Sequence, residues 1–292
     1  MAQATLASLM RRNAQRNQGG KMKLDEVDNI VRTALQAIRQ GRIGFSVQQV
    51  NCVNHHHEVL YSECLARLLK LGGSVVTAGE FMPTLEASGY APELDRSILS
   101  LAFEWLSNNA SGSLGCNVSS LNFSSAEHRA MLYDQLHRNR SLAPRLVLEI
   151  TESAPSFGAT ELIQDIRKLG YRVAIDDFGS GFWTPEAIFS MAVDIIKIDA
   201  FFVQSNSRLS ADRLLYHMAG LASCVAPTIV VEGVETYEQL TLARAAGATH
   251  VQGYLLSEPP LCPIFRGLAH RAVMGSTTVG VCEAPGFAGL SA

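Results

Sequence analysis

From Leu24 the chain reads Leu-x-x-Val-x-x-Ile-Val-x-x-Ala-Leu-x-x-Ile, with apolar residues three and four apart, and the pattern stops at Gly41. That spacing predicts an amphipathic helix closed by the glycine. Beyond it the period changes. Short β-rich runs (GFSVQQV, HEVLYSECL, LGCNVSSL, RLVLEIT, RVAID, VDIIKID, TIVVEG and THVQGY) alternate with longer amphipathic stretches such as ATELIQDIRKLG, ADRLLYHMAGLASCV and TYEQLTLARAAGA. Such alternation predicts a mostly parallel sheet with covered faces, because parallel neighbours need a crossover that a helix supplies. Eight strand candidates in 292 residues fit a closed α/β barrel of the (β/α)8 type. An open doubly wound sheet is the alternative, but no glycine-rich phosphate-binding turn follows the first strand.

The two ends lack this pattern. Residues 1–23 are rich in Arg, Gln, Asn and Gly and predict a basic polar tail; 265–292 turn to Gly, Ala, Ser and Thr and predict a second tail, leaving 24–264 for the barrel. With 47% hydrophobic and 17% charged residues the chain can bury a sizeable core. A formal charge of −3 argues against a duplex nucleic-acid binder while leaving a small anionic ligand open. The six cysteines form no C-x-x-C pair, which fits reduced thiols in a cytoplasmic protein better than a zinc site or a disulfide framework. No apolar leader and no run of 18 apolar residues is present, so neither export nor a membrane span is expected.

Candidate chemistry enters where the strand candidates end. Apolar runs give out into Glu149 (LVLEITES), Asp176-Asp177 (VAIDDFGSG), Lys197 (IIKID), Glu232 (IVVEGVE) and Gln252 (HVQGY), and Asn117 holds the same place in GCNVSS. In a parallel barrel such ends converge on one mouth. Any one of them alone reads as an ordinary polar strand end; the repetition points to a shared site. Gathered acids repel and need neutralising, and an oxygen-only set without histidine suits Mg²⁺ or Mn²⁺ rather than Zn²⁺. Adjacent Asp176 and Asp177 could serve two ions, the arrangement used to hydrolyse phosphodiesters. Lys197 would be the one cation among them, suited to hold an attacking water or a phosphate oxygen.

Taken in order, Glu-x-Leu-x-Arg, Asn-Val-Ser, Glu-Ile-Thr-Glu-Ser, Asp-Asp-Phe-Gly-Ser-Gly, Lys-Ile-Asp, Glu-Gly-Val-Glu and Gln-Gly-Tyr make the chain from about Leu24 to Pro260 resemble the EAL domain family of cyclic di-GMP phosphodiesterases. The resemblance implies a TIM-like barrel with an atypical, antiparallel first strand. It also implies two divalent cations, Mg²⁺ or Mn²⁺, with Ca²⁺ inhibiting, and hydrolysis of cyclic di-GMP to linear pGpG, commonly by a homodimer. A non-catalytic cyclic di-GMP receptor or a protein-binding regulator is the alternative, although such domains generally lose the Glu, Asp-Asp or Lys positions kept here.

Two glutamates, Glu58 and Glu63, each begin a Glu-x-Leu triplet. The family follows its signature Glu with Arg four residues on and a Phe-x-Pro further along; Glu63 meets both with Arg67 and Phe81-Met82-Pro83, whereas Glu58 is followed by Ser62. Glu63 is therefore the expected ligand, and strand alternation puts Arg67 on its face and Glu58 on the other. Cys64 replaces the usual middle alanine and points away.

Carried over residue by residue, the resemblance implies that Glu63, Asn117, Glu149 and Asp176 hold one ion and Asp176, Asp177 and Glu232 the other. Lys197 matches the lysine that holds the nucleophilic water, with Glu63, Asp176 and Glu232 completing the catalytic set. Gln48, Leu65, Arg67, Asp199 and Gln252 are assigned to substrate binding, Arg67 as a fork of donors for a phosphate and Gln252 also as a support. Glu152 steadies the Asp-Asp-Phe-Gly-Ser-Gly loop, Gly179 permits its turn, Ser180 is the partner of Glu152, and Glu235 stands behind the ligands. The chain departs from the family in reading Gln48-Gln49 for Gln-Pro and in a shortened segment after Glu152. The run His55-His56-His57 tempts a metal reading, but consecutive residues cannot share a strand face, and an exposed loop away from the mouth is expected. Trp105 and Trp183 read as packing residues.

Overall fold

A computed structural model describes residues 24–151, 159–180, 193–204, 208–260 and 263–265. Glu152, Trp183, Cys262, Cys282 and both expected tails, apart from Phe265, lie outside those residues.

The predicted first helix is α1 (Leu24–Arg39), with Arg39 in its last turn and Gly41 at φ 67° just beyond, a left-handed stop that glycine adopts without strain. Its stripe, centred on buried Ala34 and Ala37, packs on β1 (Ile43–Cys52), β2 (Val59–Leu69), α2 (Ala78–Ala87) and α3 (Ala91–Asn108). A short β3 (Val75–Thr77) pairs antiparallel with the end of β2. There follow β4 (Leu114–Val118), α4 (Leu121–Ser124), α5 (Ala126–Arg138), a 3-10 turn (Arg140–Arg145), β5 (Leu146–Thr151), α6 (Ala159–Lys168) and β6 (Arg172–Phe178). The rest is β7 (Ile195–Ile198), α7 (Phe201–Gln204), α8 (Arg208–Ser223), β8 (Thr228–Val231), α9 (Tyr237–Ala245), β9 (His250–Val251) and β10 (Ile264–Phe265).

All eight strand candidates are strands of one closed ring. Strands β2, β4, β5, β6, β7, β8 and β9 pair parallel in that order. The ring is sealed by β1, antiparallel to both neighbours, with Gln48 opposite Glu63 on β2 and Asn51 opposite Val251 on β9. The atypical first strand is thus observed, and the doubly wound alternative is excluded by closure. Pairing continues to the edge of the expected tail, where Ile264 and Phe265 lie antiparallel to Phe45 and Gly44 of β1.

Strand alternation then stratifies the interior. Val50, Tyr61, Val147, Ala174, Ile195 and Val230 pack together as an apolar floor. The opposite faces of the same strands, with Cys64, Cys116, Leu148, Val173, Ile175, Ile196 and Ile229, meet the helices in the main core. Cys64 does point away from Glu63. Cys52, Cys64, Cys116 and Cys224 are free thiols, and half-buried Trp105 packs on the core. The loop from Val53 to Glu58 joins β1 to the start of β2, at the end opposite the mouth, and His55, His57 and Glu58 there are exposed.

Candidate active site

Two residues on from the floor, each strand presents a polar group. Tyr61 is followed by Glu63, Val147 by Glu149, Ala174 by Asp176, Ile195 by Lys197 and Val230 by Glu232; along antiparallel β1 the step runs backwards, from Val50 to Gln48. A two-residue period therefore sets these side chains at one height above an apolar base.

Lys197 is the centre of that layer. Its side chain is wholly buried, and Nζ lies 2.7 Å from Glu149 Oε2, 2.9 Å from Asp176 Oδ1, 2.9 Å from Glu232 Oε1 and 3.1 Å from Glu63 Oε2. Four carboxylates from four strands thus share one ammonium. Glu63 is further held by Asn117 Nδ2, which donates to Oε1 at 2.8 Å, and by Gln252 Nε2, which donates to Oε2 at 2.6 Å. Gln252 Nε2 also reaches Gln48 Oε1 at 3.3 Å, and Gln48 Nε2 donates to the Ser257 carbonyl at 3.0 Å. Gln49 contributes only its backbone N–H, to Ser257 Oγ.

The charge imbalance is visible in proton affinities. Burial raises Glu149 to about 8, with Glu63 and Asp176 adding and Lys197 opposing. Asp177 is likewise pushed up to about 8 by burial, then by Asp176 and Asp199. Burial also raises Asp176 and Glu232. Burial would raise Glu63 too, but Lys197, Gln252 and Asn117 outweigh it and the net shift is downward. Lys197 is held above its usual range although burial alone would lower it, because Asp176, Glu149, Glu232 and Glu63 surround it. The layer therefore favours a charged Lys197 and a raised proton affinity at Glu149, Asp176, Asp177 and Glu232, though not at Glu63.

That raised affinity sets a pH dependence. Ligating carboxylates must be ionised, so a cation displaces protons. Its affinity is expected to strengthen as pH rises toward and through about 8. In the same metal-free protein a carboxylate whose folded value exceeds its unfolded 4.5 binds more protons when folded, so Glu149 makes stability fall as pH rises from 4.5 to about 8. Calorimetric titration with Mn²⁺ in two buffers of different ionisation enthalpy checks the first point; pH-independent affinity with no proton release would contradict it.

The donor set fits hard cations. Glu63, Glu149 and Asp176 bring oxygens within 4.8 Å of one another, and so do Asp176, Asp177 and Glu232, with Asp176 common to both groups. Among the described residues Glu149 Oε1 is buried without a hydrogen-bond partner, a donor atom left for a cation. Asn117, half-buried on β4, turns its amide nitrogen to Glu63, an orientation that leaves the carbonyl oxygen on the other side.

Local backbone shape serves the same end. Asp177 sits at φ 55°, left-handed for a non-glycine residue, and Gly179 at φ 93°. Ser180 closes this turn by donating from N and Oγ to the Asp177 carbonyl at 3.1 and 2.8 Å. On β4, a Cβ at Gly115 would stand 2.2 Å from Glu149 Oε1 and 2.5 Å from the Tyr61 ring. Glycine there admits both the Glu149 carboxylate and the ring of the floor. Gly115→Ala is expected to cost ~1–3 kcal/mol of stability and to weaken cation binding through Glu149; denaturant unfolding and Mn²⁺ titration check it, and wild-type values in both would contradict it.

The remaining candidates are more dispersed. Arg67 is buried near the mouth end of β2, with Nη1 donating to the Ala66 carbonyl at 3.0 Å and Nε without a partner. Leu65 is half-buried between it and Glu63. Asp199 accepts the Phe201 N–H at 2.7 Å and adds to the upward push on Asp177. Glu235 is exposed and accepts from Gln204 at 3.2 Å, on the rim beside the cluster. The loop from Glu232 to α9 is fixed by a capping box in which Thr236 Oγ1 accepts the Gln239 N–H and Gln239 Oε1 accepts the Thr236 N–H. Sequence reasoning missed Asp95, which grips the turn beyond Asn117; its signal was a lone acid on the apolar face of α3.

Comparison with known proteins agrees with this geometry. The family model described as the EAL domain matches residues 31–259. A probable cyclic di-GMP phosphodiesterase of Escherichia coli, PdeA, is 30% identical over 239 residues, which are 79% of this chain and 32% of that protein. The oxygen sensor protein DosP of the same organism is 33% identical over 195 residues, 63% of this chain and 24% of its own length. The chain thus spans about a third or less of these curated relatives. Among solved structures, the EAL domain of FimX from Pseudomonas aeruginosa bound to c-di-GMP superposes with a TM-score of 0.70 at 27% identity, covering 80% of this chain and 97% of that one. The PaMucR phosphodiesterase in complex with c-di-GMP gives 0.69 at 25% identity, covering 79% and 97%.

Proposed function

We propose that this chain, which belongs to the EAL domain family, hydrolyses cyclic di-GMP to linear pGpG with the aid of two divalent cations, Mg²⁺ or Mn²⁺. The observation that carries the reading is the buried layer in which one lysine and carboxylates from four strands meet. Glu63, Asn117, Glu149 and Asp176 would hold one ion and Asp176, Asp177 and Glu232 the other. Bound there, such ions supply Lewis acidity at the phosphate and offset charge that builds in the transition state.

The side chains account for the rest. The three ammonium hydrogens of Lys197 now meet four carboxylates; with ions sharing those oxygens, one hydrogen would be released to orient a water toward phosphorus on the side opposite the departing 3′-oxygen. Gln252 and Asn117 fix the Glu63 carboxylate, so it need not reorganise during reaction. Arg67 offers its guanidinium to a substrate phosphate. Leu65, Asp199 and Gln48 line the approach for the nucleotide. Ser180 and Gly179 shape the turn after Asp177, with Glu152 assigned to steady it. Receptors of this kind generally lose the Glu, Asp-Asp or Lys positions; this chain keeps Glu63, Asp176, Asp177 and Lys197, and this favours the enzyme over the receptor reading. A homodimer acting in the cytoplasm completes the proposal; no helix of the described residues is long and apolar enough to cross a membrane.

The test is incubation of the purified protein with cyclic di-GMP and Mg²⁺ or Mn²⁺, followed by chromatography. Formation of pGpG, absent with EDTA and suppressed by Ca²⁺, is the expected result. Tight binding with the messenger unchanged over hours overturns it in favour of the non-catalytic receptor.

A further inference from the structure

Behind the strand that carries Asn117 lies a carboxylate that the reaction does not use. Asp95 is on α3, where Leu94, Ile98, Leu99 and Ala102 are core residues, and it is only 4% exposed. An acid at such a position destabilises the fold unless it is partnered. Its Oδ2 accepts two hydrogen bonds of 2.7 Å, one from the Ser119 backbone N–H and one from Asn122 Nδ2. Asn122, itself fully buried, also donates to the Ser119 carbonyl at 3.2 Å. That oxygen ties to α3 a turn from β4 into α4 that begins two residues beyond Asn117 and is also held by the Asn122 N–H on the Ser119 carbonyl at 3.0 Å and the Leu121 N–H on Ser119 Oγ at 3.3 Å.

This clamp is separate from the ligand layer yet covalently next to it. Val118, buried between Asn117 and Ser119, is the only residue between clamp and ligand. On its other side Asn117 is fixed by pairing with Glu149 in the β4–β5 ladder and by its donation to Glu63. Without the clamp, the end of β4 would keep its ladder and the bonds within the turn but lose the side chain that ties that turn to α3.

We propose that Asp95 is a positioning residue for Asn117: by gripping Ser119 and Asn122 it fixes the exit of β4, and so aims the Asn117 amide with its nitrogen at Glu63 and its carbonyl oxygen toward the cation. The proposal rests on the two-ion reading for the identity of the bound group, and its test does not depend on turnover. Asp95→Asn keeps the volume and one acceptor oxygen; Asp95→Ala removes the acceptor; Asn122→Ala removes half of the grip and guards against an Asp95→Ala protein that does not fold. Mn²⁺ binding is followed by paramagnetic resonance of the free ion, without substrate.

Loss of a group that orients a metal ligand typically weakens binding 10- to 100-fold, and Asp95→Ala is expected to raise the Mn²⁺ Kd about tenfold. Asn122→Ala moves it the same way by less, and Asp95→Asn is expected to restore it to within about threefold. In an Asn117→Ala background, Asp95→Ala adds nothing further, because the two act through one group. Hydrogen exchange of the peptide spanning 114–122 rises in Asp95→Ala. The proposal is overturned if Asp95→Ala and Asn122→Ala lower Tm but leave Mn²⁺ affinity unchanged, or if the effects of Asp95→Ala and Asn117→Ala multiply. Should the unsubstituted protein bind no manganese, the two-ion reading fails, and exchange at Asn117 decides the clamp alone: faster in Asp95→Ala supports it, unchanged overturns it.

Discussion

Methionine in place of Lys197 is expected to abolish turnover and, in the absence of metal, to destabilise the fold by several kcal/mol. Methionine nearly matches the length of the lysine and carries no charge, so the four carboxylates within 3.1 Å of Nζ lose the cation they share. Removing one partner of a buried ion pair typically costs ~3–5 kcal/mol, because the remaining charges stay desolvated and unpaired. The acids will take up protons instead, so the loss is greatest at alkaline pH and shrinks as pH falls. Added Mn²⁺ is expected to return much of the stability and none of the activity, since ions can replace the missing charge but cannot orient the water. The fall in pGpG formation is expected to exceed roughly 1000-fold, the scale of losing a preorganised electrostatic group. Thermal unfolding with EDTA and with Mn²⁺, beside a product assay, reads both effects; a Lys197→Met protein within tenfold of wild-type turnover contradicts the role given to the lysine.

The second large effect separates two glutamates that look alike in sequence. Glu63→Gln is expected to lower turnover by at least two orders of magnitude, while Glu58→Gln stays within about twofold, a contrast set by electrostatic preorganisation at one site and solvent at the other. Glu63 receives donors on both oxygens, from Asn117 on one and from Gln252 and Lys197 on the other. A glutamine has only one acceptor oxygen, so its own amide hydrogens would face a donor whichever way it turned. Glu58 lies exposed before β2, at the far end of the barrel. Steady-state assays of the two variants decide it; equal losses, or a loss at Glu58 alone, would reverse the assignment.

Much of this was legible because a strand has a period of two and a barrel has one mouth. Apolar runs that give out into polar residues group Asn117, Glu149, Asp176, Asp177, Lys197, Glu232 and Gln252 from the sequence itself, whereas Glu63 joins them only through the resemblance. The antiparallel first strand was legible only through resemblance, since hydrophobic alternation carries no direction. The choice of Gln48 over Gln49 became geometric once β1 was seen to run backwards, with Gln48 opposite Glu63. Short edge strands left no trace: three residues at Val75–Thr77, which fold back on Arg67–Leu69, and two at Ile264–Phe265 are too few to show a period, and the second pair depends on Gly44 and Phe45, far away in the chain. The role of Asp95 was hidden for a different reason. A single acid on a helix gives no hint of what it grips, because its partners are a backbone N–H and an amide from the next strand's turn. Gly115 was equally silent; its meaning depends on the tyrosine and glutamate that crowd around the missing side chain.

The sealing of the ring by β1 against β9 has a consequence for synthesis. A ribosome releases Glu63 long before Gln252, yet the Gln252 amide is one of the supports of that carboxylate, and Asn51 finds its second neighbour only in Val251. A nascent chain halted anywhere before β9 is left with an open cylinder and a glutamate that lacks one of its three donors. Under the proposed function, chains terminated before β9 are expected to be inert toward cyclic di-GMP, so turnover would begin only once β9 has been made.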